Sequence, residues 1–206
     1  MVKCRACFSE GKSQSLRAPI VFGDKHGEKV FYQCAKCNLI YMWPPLDEQE
    51  ESVFYANEFE KFMETRSGSE FDWSGPEQHI ATNADNVQRR WRAMQKFCNS
   101  NGKLLEIGCS SGFMLDKFCN EGMSVVGVEP SGGFSEYLKR KKYEIYEHIE
   151  DLPSKYKNYF DVICHFFVLE HISDTRKFIK QKLDLLCPGG VIFCEVPSAT
   201  DPLTSL

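Results

Sequence analysis

Four cysteines near the N-terminus have the spacing of a metal site. They form two Cys-x-x-Cys pairs, "CRAC" and "CAKC", with cysteines at Cys4, Cys7, Cys34 and Cys37. Each pair can offer two thiolates to one ion, and two pairs complete a tetrahedral zinc site with four sulfur ligands. Because four ligands leave no open coordination position, we expect structural zinc and no zinc catalysis. A redox Cys-x-x-Cys is the alternative, but it needs only one pair and usually lies between a strand and a helix.

The segment around these cysteines, residues 1–45, is interpreted as a zinc ribbon. It is too short for a self-supporting core, and zinc would supply the missing stability. Between the pairs, "APIVFG" and "KVFYQC" are predicted to be short strands, with "GDKHGE" as a turn. Asn38 follows the second pair, where it tolerates the left-handed backbone common at that position, whereas Phe8 fits the equivalent position less well. A ribbon can contact a substrate, a partner or nucleic acid, or only stiffen the N-terminus.

The second candidate site is the stretch "LLEIGCSSGFML", residues 104–115. An apolar run contains a carboxylate, Glu106, and continues through a small turn into a helix. Gly108 and Gly112 let the backbone approach a ligand closely, and a helix N-terminus favours a carboxylate or phosphate. The glycine spacing is not the G-x-G-x-x-G of dinucleotide-binding folds, and no Walker lysine follows. Glu106 is either a surface charge at a strand end or a buried carboxylate that has partners.

Residues 46–76 join the ribbon to the rest of the chain and are rich in aromatic residues. We interpret them as a linker, either packed between modules or forming a lid over a site. A long helix is predicted next, because apolar residues recur at spacings of four and three: Ile80, Ala84, Val87, Trp91, Met94 and Cys98. The basic residues off this stripe are expected on a solvated face: Arg89, Arg90, Arg92 and Lys96.

From Lys103 the chain alternates apolar runs with amphipathic helices, a pattern typical of βαβ units and a parallel sheet. The predicted strands are "KLLEI", "SVVGVE", "YEIY", "YFDVICHFFV" and "VIFCEV", and "CPGG" is predicted to be a turn before the last. The last helix is expected to be capped by Ser173 and to bury Phe178, Ile179, Leu183 and Leu186. In such a fold, ligands bind beyond the carboxyl ends of the strands.

Composition restricts the function classes. The chain has 206 residues, of which 42% are hydrophobic and 26% charged, with a net charge of −4. This acidity gives no electrostatic footprint for nucleic acid or an anionic membrane. Apolar runs fall short of the roughly 18 residues of a membrane span, and the first residues lack a signal region, so a cytoplasmic location is expected. The six cysteines outside the pairs are expected to be reduced and buried.

Four stretches carry a family resemblance, in this order: "LLEIGCSSGFML", "VVGVEPS", "FDVICHFFVLEHISD" and "LCPGGVIFCEVP". Together they resemble the motifs of class I S-adenosylmethionine-dependent methyltransferases, over residues 77 to 200. The resemblance implies a Rossmann-like α/β domain at residues 77–206. The ribbon ahead of it is similar to the layout of methyltransferases that modify nucleotide-linked sugars and polysaccharide precursors. Class I domains usually continue beyond the fifth strand, so the C-terminal end is expected to be incomplete.

The resemblance assigns cofactor contacts around the turn. Glu106 would hold the turn and help bind the methionine end of S-adenosylmethionine, while Gly108 and Gly112 approach the cofactor. Between them lie Cys109 and Ser110, which belong to the same predicted contact set. Ser110 stands where many members have glycine, which puts a small side chain beside the cofactor.

Three further positions are assigned by the same resemblance. Glu129, 21 residues after Gly108, matches the acidic residue that accepts hydrogen bonds from the ribose hydroxyls. The alternative for Glu129 is a cap on the following helix near Ser131. Ile149 and Glu150, in "HIEDLP", correspond to the segment that lines the adenine.

Two residues are predicted to act on the acceptor. "VLEHI" follows the fourth strand, so His171 is proposed as general base or substrate-orienting group, with Glu170 orienting it or contacting substrate. The alternative for His171 is a structural role at a helix start, and His165 is expected to be a core histidine. The predicted partner is a small-molecule substrate, for which a nucleotide sugar is one candidate. The alternatives are an RNA methyltransferase and a non-catalytic zinc- and cofactor-binding scaffold.

Overall fold

The fold is taken from a computed structural model, which describes residues 2–19, 27–45 and 75–198. Nearly all of the predicted linker and the final residues "DPLTSL" lie outside these ranges. The described residues fall into two compact units, one within the first 45 residues and one from residue 75 to residue 197. None of the helices in the described part of the chain has the length and hydrophobicity to cross a bilayer.

The first unit is a three-stranded antiparallel sheet in the order β1-β2-β3. Its strands are β1 (Gln14–Ala18), β2 (Val30–Cys34) and β3 (Ile40–Trp43). β2 coincides with the predicted "KVFYQC". β1 begins earlier than "APIVFG" because Gln14 pairs with Cys34, and most of that predicted stretch lies outside the described residues.

The second unit is a five-stranded, wholly parallel sheet in the order β6-β5-β4-β7-β8. The strands are β4 (Lys103–Ile107), β5 (Ser124–Val128), β6 (Glu144–Tyr146), β7 (Phe160–Phe166) and β8 (Leu186–Glu195). Strand order reverses beside β4, the first strand of the unit, so its carboxyl end is the topological switch point where ligands bind in such sheets. The predicted Rossmann-like parallel sheet is confirmed.

Helices cover both faces of the sheet. They are α1 (Pro76–Thr82), α2 (Ala84–Met94), α3 (Phe113–Asn120), α4 (Gly132–Arg140) and α5 (Thr175–Leu185). Leu104 of β4 packs with Met94, Met114 and Phe118 on one face, and Leu105 packs with Phe178 and its neighbours on the other. These apolar contacts explain why β4 is buried over nearly its whole length.

The long helix predicted before β4 is two helices. α1 ends at Thr82 and α2 begins at Ala84, because Asn83 leaves the helical conformation and its side-chain amide donates to the carbonyl oxygen of His79 at 2.8 Å. The expectation that all basic residues of this segment are solvated is wrong for Arg90, which is 5% exposed. Arg90 is buried because a carboxylate and aromatic rings surround its guanidinium.

Two local predictions near the C-terminus are also corrected. Asp174, not Ser173, is the N-cap of α5, since its carboxylate accepts from the backbone N–H of Lys177 at 3.0 Å. Ile179 and Leu183 are exposed, and the inward face of α5 carries Phe178 and Lys182. The "CPGG" stretch falls inside β8, where the pairing register with β7 shifts.

Candidate cofactor site and metal centre

The turn after β4 is fixed by backbone hydrogen bonds. The N–H groups of Gly108 and Cys109 donate to the carbonyl oxygen of Val128 at 2.8 and 3.2 Å. The N–H of Gly112 donates to the carbonyl oxygen of Cys109 at 2.8 Å, which closes the turn before α3. The turn therefore leaves the end of β4, is tied to the end of β5, and enters α3 directly.

Both glycines of the turn are required by its geometry. Gly108 and Gly112 have φ values of +71° and +81°, a region that disfavours other residues. A Cβ on Gly108 would lie 2.5 Å from Val168 Cγ2, and a Cβ on Gly112 would collide with Leu138. The left-handed backbone and the side chains of Val168 and Leu138 packed against it therefore explain why both positions hold glycine.

The two residues after Gly108 have different environments: Ser110 has a left-handed backbone and Cys109 has a buried side chain. Ser110 has φ +45°, an uncommon conformation for serine, where a glycine would be relaxed. The Cys109 side chain is buried in a cluster with Leu115, Leu138 and Ile145. Burial raises the pKa of the Cys109 thiol well above its usual value, so the thiol is neutral and inert. Any contact from Cys109 to a ligand in the turn would therefore come from its backbone.

Glu106 is a buried carboxylate with an unsatisfied atom. It is 2% exposed, and its Oε2 has no hydrogen-bond partner among the described residues. Burial raises the pKa of Glu106 well above its usual value; the charge of Arg90 opposes this rise and that of Glu129 adds to it. Such an orphan is costly in a folded protein. The surface-charge alternative is wrong, and the fit to a cationic or hydrogen-bonding ligand is good.

Glu129 links the end of β5 to the turn. Its Oε2 accepts from the backbone N–H of Ser110 at 2.6 Å, and its Oε1 accepts from the backbone N–H of Ser131 at 2.9 Å. Burial raises the pKa of Glu129 to about 7, against the lowering effect of these two bonds. Glu129 thus braces the turn as well as the start of α4, and each carboxylate oxygen retains a second lone pair.

Ile149 and Glu150 lie in a one-turn 3-10 helix, Ile149–Asp151. Ile149 packs on the core cluster that contains the last residues of β4 and β5. The Glu150 carboxylate accepts from Gln181 of α5 at 2.7 Å. Both residues line a surface cavity of about 370 Å³ shared with α5. The carboxylate of Glu150 is therefore engaged by α5.

His171 and Glu170 lie in another 3-10 helix, Leu169–His171, just beyond β7. Their side chains approach to 3.9 Å between His171 Nε2 and Glu170 Oε1. Desolvation lowers the pKa of His171, which keeps the imidazole neutral near pH 7. Burial raises the pKa of Glu170, and Glu195 adds to the rise. Val168, in the same loop, contacts the turn at Gly108, which puts this pair on the ligand-binding edge of the sheet.

His165 is a core residue, as predicted. It is fully buried on β7, and its Nε2 lies 2.6 Å from Lys182 Nζ of α5. Its Nδ1 has no partner within the described ranges. Burial lowers the pKa of His165 to about 4, with Lys182 adding to the effect, so the ring is neutral.

Two contacts near the site were not foreseen from the sequence. Arg90 Nε donates to Glu195 Oε2 at 2.9 Å, and its guanidinium carbon lies 4.1 Å from the centre of the Phe166 ring. His79 Nδ1 lies 2.8 Å from Ser111 Oγ in the turn. The partners are 105 and 32 residues apart, so no local spacing indicates them.

The four paired cysteines come together as the sequence predicts. Their sulfur atoms all lie within 4.8 Å of one another, with 3.5 Å between Cys4 and Cys37 and 3.6 Å between Cys7 and Cys34. A tetrahedron of Zn–S bonds near 2.3 Å has S–S edges of about 3.8 Å, so these distances fit a four-thiolate zinc site.

The two knuckles of this site share one backbone conformation. The backbone N–H of Phe8 donates to the carbonyl oxygen of Cys4 at 3.0 Å, and that of Asn38 donates to the carbonyl oxygen of Cys34 at 2.8 Å. Both Phe8 and Asn38 have positive φ, +59° and +63°. The Ser9 hydroxyl lies 3.1 Å from Cys34 Sγ and is the main cause of a pKa lowered to about 5 at that thiol, despite opposing desolvation. A thiolate is the form that binds zinc.

Comparisons with known proteins give a family match and several similar proteins. A family model described as a methyltransferase domain matches residues 77–206. The chain is 37% identical over 98 residues to a ubiquinone biosynthesis O-methyltransferase of Pelagibacter ubique, covering 45% of this chain and 41% of that protein. It is 30% identical over 104 residues to the protein of the same name from Nitrobacter winogradskyi, covering 46% and 38%. The chain spans about two fifths of the length of these curated relatives.

The fold also matches a solved structure, the crystal structure of a SAM-dependent methyltransferase from Archaeoglobus fulgidus. The TM-score is 0.53 with 21% sequence identity, covering 72% of this chain and 62% of that one. At this identity the match concerns the fold, which is the Rossmann-like α/β fold expected from the sequence.

Proposed function

This chain belongs to the methyltransferase domain family, and on that premise we propose that it binds S-adenosylmethionine at the turn after β4 and methylates a small molecule. The observation that carries the proposal is the buried Glu106 carboxylate, whose Oε2 has no hydrogen-bond partner among the residues that the structure describes. It lies beside a turn that requires glycine at positions 108 and 112. A ligand with a positive charge or hydrogen-bond donors would satisfy that oxygen.

The residues of the turn suit the parts of the cofactor. Glu106 would bind the cationic methionine end, and the backbone at Gly108 and Gly112 would lie against the ligand. Glu129 would accept from the ribose hydroxyls with the lone pairs left by Ser110 and Ser131. When bound, S-adenosylmethionine supplies a sulfonium methyl group that already has a good leaving group. The protein must then align the acceptor, exclude water and, where the acceptor is a hydroxyl, take up its proton.

His171 is proposed to take up that proton. It is neutral near pH 7 because its pKa is lowered, and it lies in the loop that touches the turn through Val168. Glu170, 3.9 Å from the imidazole, would orient the ring and stabilise the imidazolium that forms. This pair supports an acceptor with an ionisable hydroxyl.

The acceptor class rests on two arguments. The curated relatives carry the name O-methyltransferase, which supports a hydroxyl on a small molecule. The zinc ribbon resembles that of enzymes acting on nucleotide-linked sugars, so we propose a nucleotide sugar or polysaccharide precursor within that class. The net charge of −4 disfavours the RNA alternative. A scaffold that binds the cofactor without turnover is the other alternative.

The ribbon is proposed to hold one structural zinc through Cys4, Cys7, Cys34 and Cys37. The convergence of the four sulfur atoms, all within 4.8 Å of one another, supports this. All four ligands come from the chain, so the ion's role is to stabilise a small sheet.

The test of the function is a transfer assay with labelled S-adenosylmethionine and separate panels of nucleotide sugars, small phenols and RNA. Transfer to a small molecule is expected. The His171→Ala variant should lose at least tenfold in kcat while binding S-adenosylhomocysteine normally. Transfer to RNA alone would favour the RNA reading, and binding without transfer to any acceptor would favour the scaffold. Full turnover by His171→Ala would remove the general-base role.

A further inference from the structure

We propose that His79 of α1 is a positioning residue of the cofactor site, holding the second half of the glycine-rich turn through Ser111. The inference rests on the proposed function, because its consequence is measured on cofactor binding. His79 lies outside the residues that the motifs assign.

α1 is held at a set angle to α2. The Asn83 amide, at the break between the helices, donates to the carbonyl oxygen of His79 at 2.8 Å, and the Thr82 hydroxyl donates to the same oxygen at 3.1 Å. The Asn86 amide donates to Asn83 Oδ1 at 3.0 Å, which ties the break to α2. α2 in turn packs on α3 through Trp91 and Phe118, whose ring centres are 6.3 Å apart. The backbone of His79 is therefore fixed relative to the helix that follows the turn.

The His79 ring is directed at the turn. Its Nδ1 lies 2.8 Å from Ser111 Oγ, with His79 9% exposed and Ser111 fully buried. The ring lies between Phe113, the first residue of α3, and Phe134 of α4, with centre-to-centre distances of 5.5 and 5.3 Å. Desolvation lowers the pKa of His79, so the imidazole is neutral and keeps one donor and one acceptor nitrogen. One side chain thus contacts the turn and both helices around it.

The turn needs such support on this side. Ser110 has φ +45°, a conformation that costs free energy for any residue with a Cβ. Its backbone N–H is held by Glu129 from the β5 side. The next residue, Ser111, is held by His79 from the α1 side. Glu129, just after β5, and His79 of α1 therefore each hold one residue of the serine pair.

The inference is tested by calorimetric titration of the whole chain with S-adenosylhomocysteine. His79→Phe keeps an aromatic ring between Phe113 and Phe134 but cannot bond Ser111. Ser111→Ala removes the same bond from the other side. Each variant should bind S-adenosylhomocysteine about three- to tenfold more weakly, the range for one buried hydrogen bond. The double variant should be no weaker than either single variant, because the two changes remove one interaction.

Rescue distinguishes positioning from general packing. The side-chain amide of asparagine can occupy the position of imidazole Nδ1, so His79→Asn should bind S-adenosylhomocysteine within about twofold of the unchanged protein. Amide hydrogen exchange at residues 108–112, in the ligand-free protein, should speed up in His79→Phe and return to normal in His79→Asn. This readout does not depend on the cofactor.

The outcomes separate the two claims. If the unchanged chain failed to bind S-adenosylhomocysteine, the proposed function would fail, and hydrogen exchange at residues 108–112 would still show whether His79 holds the turn. If the unchanged chain bound it and both single variants bound equally well, only the inference would fail. Additive losses in the double variant would also overturn it, since they would show that His79 and Ser111 act through separate contacts.

Discussion

The carboxylate of Glu129 accepts a hydrogen bond of 2.6 Å from the backbone N–H of Ser110, so the end of β5 holds the turn that follows β4. The same carboxylate is the one expected to accept the ribose hydroxyls of a bound cofactor. The Glu129 carboxylate therefore both holds the turn and contributes to cofactor affinity, and both roles depend on its negative charge.

Cofactor affinity is expected to depend on pH through Glu129. Burial raises its pKa to about 7, so the carboxylate loses its charge and part of its acceptor capacity as the pH falls through 7. The Kd for S-adenosylhomocysteine should increase about tenfold between pH 8 and pH 6, following the ionised fraction. Calorimetry at several pH values checks this. Glu129→Gln should bind weakly at all pH values with a flatter profile, and an equally steep profile in that variant would assign the effect elsewhere.

The conformation of Gly108 gives a prediction about stability. Gly108→Ala places a Cβ 2.5 Å from Val168 Cγ2 at a φ of +71°. We expect a loss of about 1–3 kcal/mol in the free energy of unfolding, together with weaker cofactor binding. Urea denaturation measures the loss. Gly132→Ala is the matched control, because a Cβ there meets no atom of the described residues within 4 Å, and it should leave stability unchanged or slightly increased.

The ion pair between Arg90 and Glu195 is expected to stabilise the fold more than the exposed ion pair between Arg89 and Glu195. Arg90 is 5% exposed and Glu195 21%, whereas Arg89, which bonds the same carboxylate, is 57% exposed. Glu195→Gln removes the charge opposite a buried guanidinium and should cost about 1–3 kcal/mol. Arg89→Ala should cost less than about 1 kcal/mol, as exposed pairs do. Equal losses in the two variants, measured by denaturation, would contradict this ranking.

The zinc assignment predicts metal content. Purified protein should contain about one zinc per chain by atomic emission, and Cys34→Ser should lose it and unfold the ribbon. Cys119→Ser is the control, since Cys119 is exposed and outside the four-cysteine cluster. Zinc-free protein with an intact ribbon, or retention of zinc by Cys34→Ser, would count against a structural zinc site.

The residues that the sequence predicts well lie within local patterns. The apolar runs predict the strands of the parallel sheet, and a carboxylate followed by glycines predicts the turn at Glu106, because each signal lies within about ten residues. Each Cys-x-x-Cys pair is also a local signal, and the convergence of the two pairs, 27 residues apart from Cys7 to Cys34, is predicted because zinc binds four thiolates.

The residues that the sequence does not predict depend on distant partners. The sequence predicts that Arg90 is solvated. In the fold, its guanidinium contacts the Glu195 carboxylate and the Phe166 ring, which are distant in sequence. His79 is unremarkable in its helix until Ser111 is placed against it. The apolar character of Ile179 and Leu183 predicts that they are buried, but the buried residues of α5 are Phe178 and Lys182. Lys182 is buried because its Nζ contacts His165 Nε2 on β7.

The central claim is that the turn beside Glu106 binds S-adenosylmethionine. It is tested most directly by titrating the protein and its Glu106→Gln variant with S-adenosylhomocysteine while recording their melting temperatures. Burial disfavours the charge of Glu106, so Glu106→Gln should melt at the same or a higher temperature while its affinity falls at least tenfold. An unchanged chain that binds no S-adenosylhomocysteine, or a variant that binds it as tightly as the unchanged chain, would contradict the account.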